Sequence, residues 1–277
     1  MQNGHQQAFA GHDGMRVIAV ANQKGGVAKT TTVVNLASEL ARSGRRTLVI
    51  DIDAQASATS SVLGNAERDK SMYDVMSGPA ALPDIIVHSD AFEFDIAPSD
   101  ILLSGIELQV AQVMGREKIL AKKLRGLDYD LVFIDTPPSL GLLTVNALTA
   151  ADSVLVTICP EYFSLRGIAL LERTVGNVRE QLESPVQIGG VLITRYRERV
   201  VTREAERIIR DYFGPRVFRT MIGENIKLEE AHSAHLPVSK YDAASKGAQA
   251  YRDVVAEILD GHPLWTQEGS CNAPGNS

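Results

Sequence analysis

Residues 16–31 read RVIAVANQKGGVAKTT, an apolar run followed by a turn rich in glycine and lysine. The run Arg16–Ala21 is short and almost wholly apolar, which is typical of a parallel strand buried on both faces. Residues 29–43 follow a helical pattern, and Gly44 is a natural stop for that helix. This stretch therefore predicts a strand, a glycine-rich loop and a helix, in that order.

Four further apolar runs resemble the first one. They are residues 47–51 (TLVID), 131–135 (LVFID), 154–158 (VLVTI) and 190–194 (GVLIT), with helical patterns between them. Strands that alternate with helices predict a doubly wound, mostly parallel α/β sheet with helices on both faces. The loops after the strands then lie at the carboxyl edge, where ligands of such sheets bind. Residues 65–127 are less regular, and we expect helices there around a short strand at residues 94–97.

The 277 residues predict one domain, at residues 16–260, between a polar tail at 1–15 and a frayed tail at 261–277. The first tail lacks the basic and apolar parts of a signal peptide. No apolar run reaches the roughly 18 residues that a membrane helix needs. Two cysteines, Cys159 and Cys271, are too few for a disulfide framework or a multi-cysteine metal site. These features predict a cytoplasmic protein without a membrane contact.

The loop at residues 23–31, QKGGVAKTT, contains the residue types that bind a polyphosphate. Glycines let backbone N–H groups turn toward phosphate oxygens, and the N-terminus of a helix adds partial positive charge. Lys29 would neutralise phosphate, and the hydroxyl of Thr30 would ligate Mg²⁺. The pattern G-x-x-x-x-G-K-[ST] is not met, since Gln23 and Ala28 occupy its glycine positions. The loop instead matches K-G-G-x-x-K-[ST], with an additional lysine at position 24.

With this loop, the chain resembles the ParA/MinD superfamily of deviant-Walker ATPases, and most closely its ParA (Soj-like) branch, which segregates chromosomes and plasmids. The resemblance spans residues 16–259 and includes NQKGGVAKTTTVVNLA, VIDIDAQASATSSVLG and YDLVFIDTPPSLGLLTVNAL. It implies a P-loop NTPase that hydrolyses ATP with Mg²⁺. The family usually has glycine at the position of Ala28. If that position requires a positive φ, alanine costs on the order of 1 kcal/mol there.

The resemblance also assigns roles to individual residues. From its position alone, an acid at the end of a parallel strand is as readily a helix cap or surface group as a ligand in the site. By resemblance, Asp53 positions the attacking water, Asp135 is the Walker-B acid, residues 136–138 sense the γ-phosphate, and Asp51 has a supporting role. Lys24, otherwise an ordinary solvated lysine, reaches across a nucleotide-sandwich dimer to the other subunit's phosphates, as an arginine finger would.

These assignments define the predicted site. The catalytic residues are Lys24, Lys29 and Asp53, and the metal ligands are Thr30, Asp53 and Asp135. The residues that bind the nucleotide are Lys24, Gly25, Gly26, Val27, Ala28, Lys29, Thr30, Thr31, Asp135, Thr194 and Asn225. The last two stand for the family's adenine contacts, which follow the late strand and include an I-P-R-N loop. Here that loop reads IGEN, so Gly223 and Glu224 replace its proline and arginine.

The net charge of −6 argues against a nucleic-acid binder only as an average over the chain. Residues 195–219 contain eight arginines against four acids, which gives +4 there and −10 elsewhere. Residues 202–214 predict a helix with Thr202 as its N-cap. Helical spacing places Ala205, Ile208, Ile209 and Tyr212 on one face, with Arg203, Arg207 and Arg210 opposite.

A solvated helix face accounts for these arginines as readily as a DNA site does. The ParA resemblance implies nonspecific binding of double-stranded DNA, and arginine is the better phosphate ligand. The candidate DNA-binding residues are Arg195, Arg197, Arg199, Arg203, Arg207, Arg210, Arg216, Arg219 and Lys227.

The resemblance implies three partners: a second copy in an ATP-bound homodimer, nucleoid DNA, and a ParB-like centromere-binding protein that stimulates hydrolysis. Three alternatives stay open. A MinD-like membrane-cycling ATPase would need a basic amphipathic end, whereas this chain ends in PLWTQEGSCNAPGNS. An electron-transfer protein like the nitrogenase iron protein would need two cluster cysteines per subunit. An orphan ParA-type protein would position a different cargo.

Overall fold

A seven-stranded sheet organises the computed structural model, which describes residues 14–64 and 68–265. Its strands are β1 (Arg16–Ala21), β2 (Thr47–Asp51), β3 (Val87–Ser89), β4 (Phe94–Ala97), β5 (Leu131–Asp135), β6 (Ser153–Ile158) and β7 (Gln187–Ile193). Their order in the sheet is β3-β4-β2-β5-β1-β6-β7. Neighbouring strands run parallel, except that β3 pairs antiparallel with β4. The predicted doubly wound, mostly parallel sheet is confirmed.

Helices cover both faces of this sheet. They are α1 (Lys29–Arg42), α2 (Ser57–Leu63), α3 (Met72–Ser77), α4 (Ile106–Gln109), α5 (Ile119–Lys123), α6 (Leu142–Ala150), α7 (Leu165–Leu182), α8 (Val200–Phe213), α9 (Ile226–Ser233), α10 (Val238–Tyr241) and α11 (Lys246–Leu259). One core cluster packs α1, α2 and α9–α11 against the sheet, and the other packs α3 and α5–α8 against its opposite face. Within the described part of the chain, no helix has the length and apolar character needed to cross a membrane.

The central strands β1, β2 and β5 are buried along their whole length, which explains why each one is a continuous apolar run. Their register aligns the ends of the strands. Asp51, the last residue of β2, lies opposite Asp135, the last residue of β5. Val20 of β1 lies opposite Asp135 on the other side. The carboxyl edge therefore places both acids beside the loop that follows β1.

The expected domain boundaries are wrong by a few residues. Met15 was assigned to the first tail, but it is buried. Residues 261–265 were assigned to the second tail, but Leu264 is fully buried and its carbonyl accepts a hydrogen bond from Arg16 Nη2 at 2.9 Å. The ring of His262 stacks on Phe218 with centroids 3.7 Å apart. The domain therefore extends through residue 265, and residues 1–13 and 266–277 of the two expected tails lie outside the described residues.

The less regular region has more order than the sequence indicates. The strand expected at residues 94–97 is confirmed as β4, and its antiparallel neighbour β3 was missed. β3 has three residues, two of which are exposed, so it shows no apolar pattern. Cys159 is buried at the end of β6, whereas Cys271 lies outside the described residues.

Candidate nucleotide site

The loop between β1 and α1 contains two left-handed residues, Gly26 (φ 72°) and Ala28 (φ 58°). Ala28 is the N-cap residue of α1, and its carbonyl accepts a hydrogen bond from the N–H of Thr32 at 3.0 Å. Position 28 therefore has the positive φ on which the expected cost of alanine depends. An alanine in this conformation costs roughly 1–2 kcal/mol relative to a relaxed backbone. Left-handed residues alternating along a loop form a concave row of N–H groups that binds anions.

The two loop lysines lie in different environments. Lys29 is 8% exposed, and burial lowers its pKa, while the charges of Asp135 and Asp53 act in the opposite direction. Lys24 is exposed, and its ammonium lies 5.3 Å from the centre of the Tyr162 ring. Lys29 is thus buried within the site, near the charges of these two acids. Lys24 stands at the rim, where a second molecule has access to it.

Asp135 is the most perturbed acid of the site. Its Oδ2 accepts a hydrogen bond from Thr30 Oγ1 at 2.7 Å. The pKa of Asp135 is raised to about 8, mainly by burial and secondly by the charge of Asp51. Asp51 is also fully buried, but it accepts hydrogen bonds from Thr59 N and Thr59 Oγ1, both at 2.8 Å. Burial raises the pKa of Asp51 to about 6. The satisfied oxygens of Asp51 fit the supporting role expected for it.

A magnesium ion fits this arrangement. Asp135 Oδ1 is buried and has no hydrogen-bond partner among the described residues. A buried carboxylate oxygen without a partner is costly and calls for an explanation such as a bound ion. Mg²⁺ prefers oxygen ligands, keeps several waters, and is often held by one or two protein groups together with phosphates. Asp135 with the hydroxyl of Thr30 supplies such a donor set.

Asp53 and the segment after β5 complete the edge. The side chain of Asp53 is half-buried, and its Oδ1 accepts a hydrogen bond from Gln55 N at 3.0 Å. Thr136 is buried, and its hydroxyl donates to the carbonyl of Val20 in β1 at 2.8 Å. Pro138 lies close to the loop, since a Cβ added to Gly25 would be 4.0 Å from Pro138 Cβ. The structure thus brings the segment at residues 136–138 against the phosphate loop.

A cavity of about 470 Å³ adjoins the loop on the side of β7. Its lining includes Gly26, Ala28, Thr31, Arg195, Arg197, Gly223, Glu224 and Asn225. Asn225 is also the N-cap of α9, because its Oδ1 accepts a hydrogen bond from Lys227 N at 2.9 Å. Thr194 was expected to serve the base, but its buried hydroxyl donates to the carbonyl of Val27 at 3.0 Å. The structure therefore engages Thr194 with the phosphate loop.

Arg195 was assigned to a DNA surface, yet it lines this cavity. Its Nη1 donates to the carbonyl of Gly26 at 3.2 Å, and its Nη2 lies 3.4 Å from Glu224 Oε1. Glu224 also forms an ion pair with Arg197. Reasoning from the sequence missed these contacts. The available signal was the position of Arg195, directly after Thr194 at the carboxyl end of the last strand.

The arginine-rich helix α8 differs in detail from its prediction. The helix begins at Val200 with Arg199 as N-cap, so Thr202 is not the N-cap. Thr202 is buried one turn later, where its hydroxyl accepts a hydrogen bond from Arg199 N at 2.9 Å. Tyr212 was expected to share a face with Ile209, but Tyr212 is 48% exposed whereas Ile209 is fully buried. The buried positions of the helix are Thr202, Ile209 and Phe213.

Arg210 does not share the exposed face of Arg203 and Arg207. Its Nε donates to Glu206 Oε1 at 2.8 Å, and its Nη1 donates to the carbonyl of Phe218 at 3.1 Å. Arg203 and Arg207 are exposed, and the side chain of Arg207 forms no hydrogen bond or ion pair with any described residue. Of the three arginines predicted to share one face, two do so.

Acids distant in the sequence pair with most of the other candidate DNA-binding residues. Arg199 Nη1 lies 3.0 Å from Glu161 Oε1, and Arg219 Nε lies 3.6 Å from Glu257 Oε2. The remaining contacts are Arg203–Glu198 at 2.9 Å, Lys227–Glu230 at 2.8 Å, and Arg216 Nε to the carbonyl of Phe213 at 3.2 Å. Glu161, Glu224 and Glu257 add three acids to the four within residues 195–219. Ion pairs join six of the eight arginines to five carboxylates, those of Glu161, Glu198, Glu206, Glu224 and Glu257. Little unpaired positive charge is therefore left in this segment.

The sheet, the loop and the acids at the strand ends together define a P-loop NTPase. Comparisons with known proteins agree: a family model described as an AAA domain matches residues 15–188. The chromosome partitioning protein ParA of Caulobacter vibrioides is 39% identical over 251 residues, which are 88% of this chain and 94% of that protein. The sporulation initiation inhibitor protein Soj of Bacillus subtilis is 40% identical over 247 residues, covering 88% and 98%.

Solved structures include similar molecules. The crystal structure of cobyrinic acid a,c-diamide synthase from Mycobacterium smegmatis, with a bound ATP analog and magnesium, has 34% identity and a TM-score of 0.78. The match covers 88% of this chain and 94% of that one.

The identities of 39% and 40% to ParA and Soj, each over 88% of this chain, show that the protein belongs to the ParA/Soj family of partitioning ATPases.

Proposed function

We propose that this protein is an ATP-dependent DNA-partitioning ATPase. In this proposal, ATP and Mg²⁺ close a sandwich dimer, the dimer binds DNA of any sequence, and a ParB-like partner stimulates hydrolysis and release. Repetition of this cycle segregates a chromosome or a plasmid. The observation that carries the proposal is the loop K-G-G-x-x-K-T between β1 and α1, with Thr30 hydrogen-bonded to the buried Asp135.

The phosphate site supports hydrolysis of ATP. The backbone N–H groups of residues 25–31 and the ammonium of Lys29 would bind the phosphates. Thr30 and Asp135 would hold Mg²⁺, with Asp53 close enough to Lys29 for its charge to raise that lysine's pKa. Bound Mg²⁺ neutralises charge that develops on the phosphates. The carboxylate of Asp53 would orient the attacking water, since phosphoryl transfer depends chiefly on positioning and charge.

Dimerisation depends on Lys24 in this proposal. The lysine is exposed at the rim of the loop, beside Tyr162, and not buried like Lys29. A lysine at this place is available to the phosphates of a second subunit. It would supply positive charge in the transition state, as an arginine finger does.

DNA binding would use the exposed arginines of the late segment. Arg203 and Arg219 have 64% and 80% exposed side chains, and Arg207 has no carboxylate partner among the described residues. A dimer doubles this surface. Contacts to phosphates are blind to sequence and weaken steeply with salt, which suits a protein associated with the nucleoid. The acidic remainder of the chain, at −10, suits a basic segment of a ParB-like partner.

Light scattering with defined nucleotides tests this proposal. We expect the molecular mass of the wild-type protein to double with ATP and Mg²⁺. With ADP, or without Mg²⁺, the mass should remain that of a monomer. Hydrolysis should be slow alone and rise when a basic N-terminal peptide of a ParB-like protein and DNA are both added. A protein that neither binds ATP nor changes its mass would contradict the proposal.

A further inference from the structure

The carboxyl end of β7 contacts two consecutive peptide groups of the phosphate loop. Thr194 Oγ1 donates to the carbonyl of Val27 at 3.0 Å, and Arg195 Nη1 donates to the carbonyl of Gly26 at 3.2 Å. Thr194 is fully buried, and its own N–H donates to the carbonyl of Ile158 in β6 at 2.8 Å. The loop is thereby tied to a residue that the sheet itself holds in place.

These two contacts fix the direction of the loop's N–H groups. In a trans peptide, the carbonyl and the N–H of the next residue point in opposite directions. Because the carbonyls of Gly26 and Val27 are turned toward β7, the N–H groups of Val27 and Ala28 point away from it. Successive N–H groups turned to one side of a left-handed loop are the donors that bind phosphate.

We propose that Thr194 and Arg195 form a latch that holds the phosphate loop in its binding conformation before a nucleotide arrives. The latch rests on the proposed function, and it adds two positioning residues that act through the loop backbone. It also explains how Ala28 is kept at φ 58°. A strained non-glycine residue persists only where its surroundings over-determine its conformation.

Two further observations support a positioning role for Arg195. The residue is itself left-handed, at φ 51°, which is unusual for arginine and directs its side chain back over the loop. Its guanidinium is oriented by Glu224, in the segment that lines the cavity beside the loop. The latch thus joins the phosphate loop to that cavity.

The test compares Thr194→Val, which removes the hydroxyl at nearly constant volume, with Thr194→Ser, which keeps it. Arg195→Gln tests the second contact at an exposed position. Thr174→Val is the matched control, because the Thr174 hydroxyl also donates to a carbonyl, but within α7 and far from the loop in sequence. Two quantities are measured: hydrogen exchange of residues 23–30 in the nucleotide-free protein, and affinity for a fluorescent ATP analogue and for inorganic tripolyphosphate.

We expect Thr194→Val to weaken both ligands by about tenfold and to speed exchange of the loop by a similar factor, as one lost hydrogen bond would. Arg195→Gln should weaken them by about threefold, and Thr194→Ser should stay within about twofold of wild type. The latch is overturned if Thr194→Val matches Thr174→Val in exchange and affinity, or if Thr194→Ser is as weak as Thr194→Val. A wild-type protein that fails to bind ATP overturns the proposed function, while the exchange comparison still decides the latch.

Discussion

The carboxyl edge of the sheet with the loop at residues 23–31, here called the phosphate edge, and the arginine segment at residues 195–219 are assembled in different ways. At the phosphate edge, the loop proposed to bind phosphate is one continuous stretch, and Asp51 and Asp135 meet because the register of β2 and β5 aligns them. In the arginine segment, the charge is set by acids from elsewhere in the chain. Glu161, Glu224 and Glu257 each pair with an arginine of the segment.

A contiguous motif therefore specifies its own geometry, whereas the charge of a surface does not follow from a count along the sequence. Five carboxylates form ion pairs with six of the eight arginines, which leaves a weak electrostatic field around this segment in a single chain. DNA phosphates must then compete with carboxylates already in place. We therefore expect the phosphate edge to bind ATP in the isolated chain, and the arginine segment to need a second copy for useful affinity.

The largest expected effect is that of Lys24→Ala at the phosphate edge. Hydrolysis of ATP should fall by about a hundredfold or more, because a charge supplied across a dimer is lost from the transition state. The mass with ATP and Mg²⁺ should remain that of a monomer, while ATP affinity changes little, since Lys29 and Thr30 are intact. Lys70→Ala, another exposed lysine, is the control. Normal hydrolysis and dimerisation by Lys24→Ala would rule out the sandwich.

The double change Arg203→Glu and Arg207→Glu addresses the exposed part of the arginine segment. Affinity of the ATP-bound protein for DNA should fall at least tenfold at about 0.1 M salt, and the slope of log affinity against log salt should decrease by about 2 to 4. Gel-shift titrations at several salt concentrations measure both. Arg42→Glu with Arg125→Glu gives the same change of charge on exposed residues elsewhere. If DNA affinity falls equally in that control, the loss reflects the overall charge of the protein and not a contact of Arg203 or Arg207 with DNA.

Arg210→Gln tests whether the half-buried Arg210 stabilises the fold or binds DNA. Arg210 loses its ion pair with Glu206 and its hydrogen bond to Phe218. The free energy of unfolding should fall by about 1–2 kcal/mol, while DNA affinity stays within about threefold. Chemical denaturation and the same DNA titrations provide the two numbers. A large loss of DNA affinity with unchanged stability would instead show that Arg210 is a DNA-binding residue.

The smallest effect concerns His262, which packs on Phe218 at the end of the arginine segment. Burial lowers the pKa of His262 to about 4, whereas an unfolded histidine titrates near 6.5. Between these values the unfolded chain binds a proton that the folded protein does not, so stability falls as the pH drops from 6.5 toward 4. The fall in melting temperature from pH 7 to pH 5 should be about 3 °C smaller in His262→Asn. Equal pH dependence in the two proteins would contradict this packing.

Much of the fold could be predicted because its central strands are continuous apolar runs, two of which, β2 and β5, end in an acid. The bounds of β1, β2 and β5 match the sequence pattern residue for residue. β7 begins at Gln187, three residues earlier than the expected run at 190–194. Gly189, inside the strand, allows a close approach, because a Cβ there would lie 3.1 Å from Leu264 Cα. Leu264 itself was placed in a tail, because one leucine among polar residues gives no periodic signal.

The site could be predicted where its chemistry is local. The loop and Asp135 were found from one motif and one strand end, whereas the positive φ of Ala28 was left as a condition that the structure meets. Arg195 could not be assigned in this way, because its partner, the carbonyl of Gly26, lies 169 positions away along the chain. A run of arginines in sequence also concealed that Arg210 turns inward.

We expect nucleotide at the phosphate edge to control DNA binding by the arginine segment. The experiment titrates the wild-type protein against two unrelated DNA duplexes with ATP, with ADP and without nucleotide, at about 0.1 M and 0.3 M salt. Both duplexes should bind equally with ATP, at least tenfold more weakly with ADP, and much more weakly at the higher salt. Binding that is equal with ATP and ADP, or that distinguishes the two duplexes, would contradict this expectation.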